Sequence, residues 1–227
     1  QLSGYIDHSL NQDDQSIWIA QREGRAKDGN DQTDPAILKM FYMSHRKAKR
    51  SFSEAMERLN IVPVSISYQY DPCDALKAEE LYALQQDGQY EKGQFEDIES
   101  IVEGITGNKG HVHVAFGEEL SITSDDPDVI AGQIDDQILA NYRLRDMNYL
   151  ALERLKQDGM IPLHKVRGLP DGDDISRESR KKFEKRMKAV DPKLLKHWLF
   201  SYANPVMGKL QVEQANEGLS EHSEEAF

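Results

Sequence analysis

The run Ile17-Trp18-Ile19-Ala20 ends abruptly in Gln21-Arg22-Glu23-Gly24-Arg25-Ala26-Lys27-Asp28-Gly29, and this junction constrains the chain more than any other stretch. A short apolar, β-branched run predicts a buried strand over 17–21. A glycine among charged residues at a strand end lets the backbone turn, or approach a ligand closely, while side chains project from a rigid platform. Arg22, Arg25 and Lys27 set three cations beside Glu23. The planar fork of arginine donates two parallel hydrogen bonds to a phosphate or a carboxylate. In a chain of net charge −12 such a cationic knot has two readings. It holds an anion, or it forms ion pairs with Glu23, Asp28, Asp31 and Asp34.

Charge narrows the partners. A pI near 5.1 argues against a nucleic-acid binder, which would show a basic face, and against broad adhesion to anionic lipid. Cys73 is the only cysteine, so no disulfide forms within the chain and a reducing, cytoplasmic setting is expected. Cys73 itself reads as an ordinary packed or surface thiol. No run approaches the ~18 apolar residues of a membrane-spanning helix. With 38% hydrophobic residues, 227 residues suffice for one core, or a core with a helical annex.

Helix signals are frequent. Leu2, Tyr5, Ile6 and Leu10 share a face, so residues 1–10 read as an amphipathic helix. Asp34-Pro35 starts a helix with Ile37, Leu38, Phe41 and Tyr42 as its stripe. The basic run His45-Arg46-Lys47-Ala48-Lys49-Arg50 is a solvated face or an addition to an anion site. Ser53 is expected to cap a short helix over 54–59, leading into a strand over 61–68. Asp71 and Asp74 follow that strand; Asp74 is expected to cap a helix over 75–84. Phe95, Ile98, Val102 and Ile105 mark a second peripheral helix. His111-Val112-His113-Val114 alternates as a strand with both histidines on its polar face; no third ligand accompanies them, so no metal is assigned.

Helices are expected from 128 to about 144, over 148–156 and over 176–190, and a last one carries Leu194, Leu195, Trp198, Leu199 and Tyr202. That last face is expected to pack on the core rather than meet lipid. The loop Gly168 to Asp174 lacks the ligand spacing of a calcium loop. The acidic stretch 213–227 is sparse in hydrophobic residues and is expected to be disordered.

Three pieces together resemble the glycerolipid acyltransferases, the family of 1-acylglycerol-3-phosphate and glycerol-3-phosphate acyltransferases, and within it a bacterial branch. They are the strand ending in Glu23-Gly24-Arg25, the strand Ile61-Val62-Pro63-Val64, and the strand His111 to Phe116 closing in Gly117-Glu118. The resemblance covers about the first half of the chain. It implies that Arg22, Glu23, Gly24, Arg25 and Lys27 bind the acceptor's phosphate. The family usually writes Glu-Gly-Thr-Arg-Ser or Glu-Gly-Gly-Arg-Ser; here Arg25 follows Gly24 directly and Ala26 takes the family's arginine position. The family's catalytic block, a histidine five residues before an aspartate, lies well upstream of Glu-Gly. His8 and Asp13 have that spacing but stand too close to Glu23, so they read as a surface pair and no catalytic residue is assigned. The expectation is a fragment whose catalytic block precedes Gln1.

The expected fold is α/β: a partial mixed sheet with strands near 17–21, 61–68 and 111–116, flanked by helices, and a helical C-terminal half. Residues 1–122 would be the C-terminal portion of the acyltransferase core, 123–212 a helical extension packed on it, and 213–227 the tail. The resemblance implies acyl transfer from acyl-CoA or acyl carrier protein to a hydroxyl of a phosphorylated glycerol, without cofactor, metal or nucleic acid. The expected location is cytoplasmic, with peripheral contact at the inner face of the membrane. The alternative is a non-catalytic module that binds a phospholipid head group or a carrier protein.

Overall fold

The structure is a computed structural model that describes residues 2–22, 24, 26–161 and 175–224, and for residues 47 and 213–224 the backbone alone. The loop 168–174, the extreme terminus 225–227, Glu23 and Arg25 lie outside the described residues. The elements run α1 (Leu2–Asn11), α2 (Pro35–Tyr42), a 3-10 turn (His45–Ala48), α3 (Phe52–Glu57), β1 (Val64–Tyr68), α4 (Asp74–Asp87), α5 (Glu96–Thr106), β2 (Val112–Phe116), α6 (Pro127–Asn141), α7 (Asp146–Gln157), α8 (Arg177–Ala189) and α9 (Leu195–Glu224). The fold mixes helix and strand, is rich in helix, and has one two-stranded ribbon. Its pairing is antiparallel: the Gly117 N–H donates to Pro63 O, and the Gln69 N–H donates to His111 O, each at 2.8 Å.

The chain divides into two compact units, each discontinuous in sequence. The first comprises 1–25, 31–65 and 115–141, the second 26–30, 66–114 and 142–227. In the first, α2, α3 and α6 bury Leu38, Phe52, Ala55, Met56, Ile130 and Ile134 together. Ser51 makes a capping box at α3: its hydroxyl accepts from the Glu54 N–H, and the Glu54 carboxylate accepts from the Ser51 N–H. Ser51, not Ser53, is therefore the cap, because it stands three residues before a glutamate. Asp34 caps α2 by accepting from the Ala36 N–H at 2.8 Å, with Pro35 at the first position.

In the second unit α7, α8 and α9 enclose Leu150, Leu152, Leu155, Phe183, Trp198, Leu199, Tyr202 and Val206. The stripe of α9 expected to pack does pack, with Trp198 and Leu199 almost wholly buried. Asn148 of α7 ties α7 to α9, donating to Tyr202 O at 2.8 Å. Helix α9 extends to Glu224, across most of the segment in which composition predicts disorder.

Further expectations change. Residues 17–21 form no strand; the run Asp14 to Ala20 has no regular structure, with Trp18 and Ile19 exposed. A strand needs a ladder, and the one ribbon pairs β1 with β2 alone, so the mixed sheet reduces to an antiparallel pair among the described residues. The helix after Pro72 begins at Asp74 itself, whose carboxylate serves other partners. The ribbon is also turned the other way: Ser65 and Ser67 are buried and His113 half-buried, while Ile66, Val112, Val114 and Phe116 are exposed.

Trp198→Ala should cost the second unit about 3–5 kcal/mol, the usual range for emptying a large buried aromatic site. Urea unfolding followed by circular dichroism measures it; a loss below about 1 kcal/mol would mean that the α7–α8–α9 core is not packed around Trp198.

Candidate functional site

The charged segment after Ala20 starts from a tied base. The Asp34 N–H donates to Gln21 O at 2.9 Å, closing a loop across residues 22–33. Beside this closure Thr33 is buried, and its N–H and hydroxyl both donate to Asp135 Oδ1 of α6, at 2.8 and 2.6 Å. Burial pushes the Asp135 carboxyl above its ordinary value, against the two Thr33 bonds, which pull it down. Gly24 has φ +79°, the left-handed region that glycine adopts without strain, and nothing stands near the place of a Cβ. Arg22 and Gly24 are both exposed. The turn expected at Gly24 is present, but it leaves an extended segment rather than a strand end.

Residues 26–30 group with the second unit and are pinned there. Lys27 forms an ion pair and hydrogen bond with Glu80 of α4, a partner far away in sequence. Asn204 Nδ2 donates to Asp28 O at 2.7 Å, and the Asp28 carboxylate accepts from the Asn30 N–H at 3.0 Å. Gly29 has φ +80°, and a Cβ there would collide with the carbonyl oxygen of Ser201. The position thus admits glycine for close approach as well as for dihedral angle. Of the three cations, Lys27 has its charge matched by Glu80, Arg22 stands in solvent, and Arg25 lies outside the described residues, as does Glu23.

His8 Nε2 and Asp13 Oδ1 are 3.6 Å apart, and both side chains are more than half exposed. This is a surface pair beyond hydrogen-bond reach. A buried histidine escaped the sequence reading. His45, in the basic run, is 2% exposed, with Nε2 3.2 Å from Asp7 Oδ1 and Nδ1 3.4 Å from Arg50 Nη1. It lies against Asp7 of α1, while Arg46, Lys49 and Arg50 are exposed. The separation of Asp7 from His45 in sequence offers no motif that would have found the pair.

In the second unit Asp71 and Asp74 are structural. The Tyr202 hydroxyl donates to Asp74 Oδ2 at 2.7 Å, Arg186 Nη2 donates to the same oxygen at 2.6 Å, and the Asp71 N–H donates to the Tyr202 oxygen at 2.9 Å. Lys77 pairs with Asp71 at 2.6 Å. Burial, then the Asp74 charge, pushes the Tyr202 hydroxyl well above its ordinary value, which favours the protonated form that donates to Asp74. Cys73 is buried, its thiol directed at Ser100 O at 3.4 Å, a packed cysteine. Beside the middle of α9 a cavity of about 380 Å³ is lined by Tyr142, Arg143, Tyr149, Lys209 and apolar side chains. Among the described residues no cluster of His, Cys, Asp and Glu has the makings of a metal site, and no helix is long and apolar enough to cross a membrane.

No protein-family model, curated protein or solved structure matches this chain.

Two measurements test these assignments. Tyr202→Phe removes a donor from Asp74 and an acceptor from the Asp71 N–H, and should destabilise the second unit by about 1–3 kcal/mol; an unchanged urea midpoint would contradict the network. Asp135 has a folded pKa above its unfolded one, so the folded state binds the extra proton between the two values. Its contribution to stability is full below the unfolded pKa and is lost as pH rises through the folded one. Asp135→Asn should therefore gain on the wild type as pH rises across that window; a pH-independent difference would show that Asp135 does not titrate there.

Proposed function

We propose that this chain takes part in acyl transfer, binding the phosphate of a phosphorylated glycerol whose free hydroxyl receives an acyl group from a thioester, acyl-CoA or acyl carrier protein. The resemblance of Glu23-Gly24-Arg25, Pro63-Val64 and Phe116-Gly117-Glu118 to the glycerolipid acyltransferases motivates the reading. The observation that carries it is the pairing of a fastened base with an outward cationic segment. The Gln21–Asp34 bond and the Thr33–Asp135 bonds hold the loop, and Arg22 and Gly24 project into solvent from it. Such an arrangement presents the Arg22 guanidinium to a phosphate beside a closure that is already fastened.

Arg22 and Arg25 would grip the phosphate by bidentate hydrogen bonds and keep the glycerol hydroxyl in line with the thioester carbonyl. A general base would take the hydroxyl proton as the oxygen attacks, and the thiolate would leave with a proton. Lys27 has a secondary part in this reading, because Glu80 already matches its charge. No residue here is assigned as the base, so residues 1–227 are expected to bind the acceptor without turning it over.

Titrating glycerol 3-phosphate into the chain by calorimetry tests the binding, with glycerol as the control without phosphate. Arg25→Ala should weaken binding about ten- to a hundredfold, since a charge-assisted hydrogen bond contributes roughly 1.5–3 kcal/mol and ~1.4 kcal/mol is a factor of ten. Arg25→Lys should recover part of it, keeping the charge without the fork. A larger effect of Arg22→Ala would make Arg22 the phosphate ligand. Equal affinity for glycerol, or arginine changes that lower only the melting temperature, would sink the reading. Turnover with acyl-CoA that His8→Ala abolishes would make the exposed His8–Asp13 pair the catalytic one.

A further inference from the structure

Helix α5 is turned inside out. Phe95, at its N-cap, and Ile98, Ile101, Val102 and Ile105 recur at the three- and four-residue spacing that ordinarily faces a core. All five are between 51% and 73% exposed. The side facing its own unit is made of small and polar groups: Ser100 is buried at 5% exposed, and Gly104 lies against Cys73, whose sulfur would be 3.9 Å from a Cβ at that position. The Cys73 thiol directed at Ser100 O, at 3.4 Å, is part of the same contact. A roll that brought the isoleucines inward would bury side chains where only serine and glycine now fit. The orientation is therefore built into the contact with buried Cys73, and the apolar stripe is left with nothing of its own unit to cover it. The neighbouring strand repeats the inversion, with Val112 and Val114 outward and His113 half-buried. Contiguous exposed apolar surface of this kind marks an interaction site.

The charges of the helix select the partner. Residues 96–106 carry Glu96, Asp97, Glu99 and Glu103 and no lysine or arginine. At 3.6 residues per turn Glu99, Glu103 and Glu96 fall along one border of the stripe. A second copy docked on the same face would set carboxylates against carboxylates, in chains of net charge −12. An anionic bilayer would be repelled, and helices that lie in a membrane surface carry basic borders. We propose that the outward face of α5 docks an amphipathic helix of another polypeptide, with an apolar stripe bordered by lysine or arginine. Eleven residues give about three turns, or ~16 Å, of helix-on-helix contact.

The probe is a synthetic Leu/Lys amphipathic peptide, and the control is a Leu/Glu peptide of the same pattern, both followed by fluorescence anisotropy. The Leu/Lys peptide should bind and the Leu/Glu peptide should not. Replacing Ile98, Ile101 and Ile105 together by serine should weaken binding at least tenfold without lowering the melting temperature, because these side chains are already in solvent. Glu99→Lys with Glu103→Lys should transfer the preference to the Leu/Glu peptide. Absence of binding, or equal binding to the serine variant, overturns the proposal. So does a dimer seen by sedimentation that the serine variant abolishes, which would make a second copy the occupant, or vesicle binding lost in that variant, which would make it lipid.

Discussion

The Asp74 carboxylate is the constraint on which the second unit depends. It is nearly buried, and a buried carboxylate persists only with its charge matched and its lone pairs occupied. Arg186 of α8 matches the charge, and Tyr202 of α9 donates the hydroxyl hydrogen. Tyr202 in turn accepts from the Asp71 N–H, so the chain leaving β1 is tied to two helices through one oxygen. Arg186 also lies 4.8 Å from the centre of the Tyr70 ring, where a cation meets the negative face of the aromatic system. The exit of β1 thus has one permitted place, and the stacking of Phe183, Trp198 and Tyr202 begins directly beside it.

The first unit achieves order by other means. Its core is smaller, with Phe52 as its buried aromatic side chain, and its polar ties lie at the borders: Ser51 with Glu54 at the start of α3, Asp34 at the start of α2, Asp135 under Thr33. The last two lie at one end of the loop that carries Arg22 and Gly24, and the Asp34 N–H ties that end back to Gln21 O. Arg22 thus stands in solvent close to a closure that is itself hydrogen-bonded. Lys27 illustrates the opposite outcome. It belongs to the same run of residues, yet its ammonium is matched by Glu80 and it acts as a fastener.

Much of the fold was legible locally. Asp34-Pro35, the helix expected from 128, the alternation around Val112 and the apolar face of α9 all mark real elements, because caps and periodicity act within a few residues. Ser53 misled because serine at two nearby positions can cap, and only the glutamate three residues on distinguishes Ser51. Ile17 to Ala20 misled for a different reason. Strand propensity describes a residue's fit to a pleated surface, and this run has no neighbouring strand to supply one.

The sequence by itself determined which segments are helices, which faces are apolar, and that a cationic run surrounds a glycine able to turn. Tertiary structure alone decided which way those faces point and which charges are matched. Periodicity reports that α5 and β2 are two-sided, but the small groups Ser100 and Gly104 against Cys73, and the buried Ser65 and Ser67, turn the polar sides inward. Lys27 meets Glu80, Asp74 meets Arg186 and Tyr202, and Asp7 meets His45 across 53, 112, 128 and 38 intervening steps of chain. Contacts at such separations are decided by packing, since no local pattern in the chain records what will stand opposite a side chain once the cores have formed.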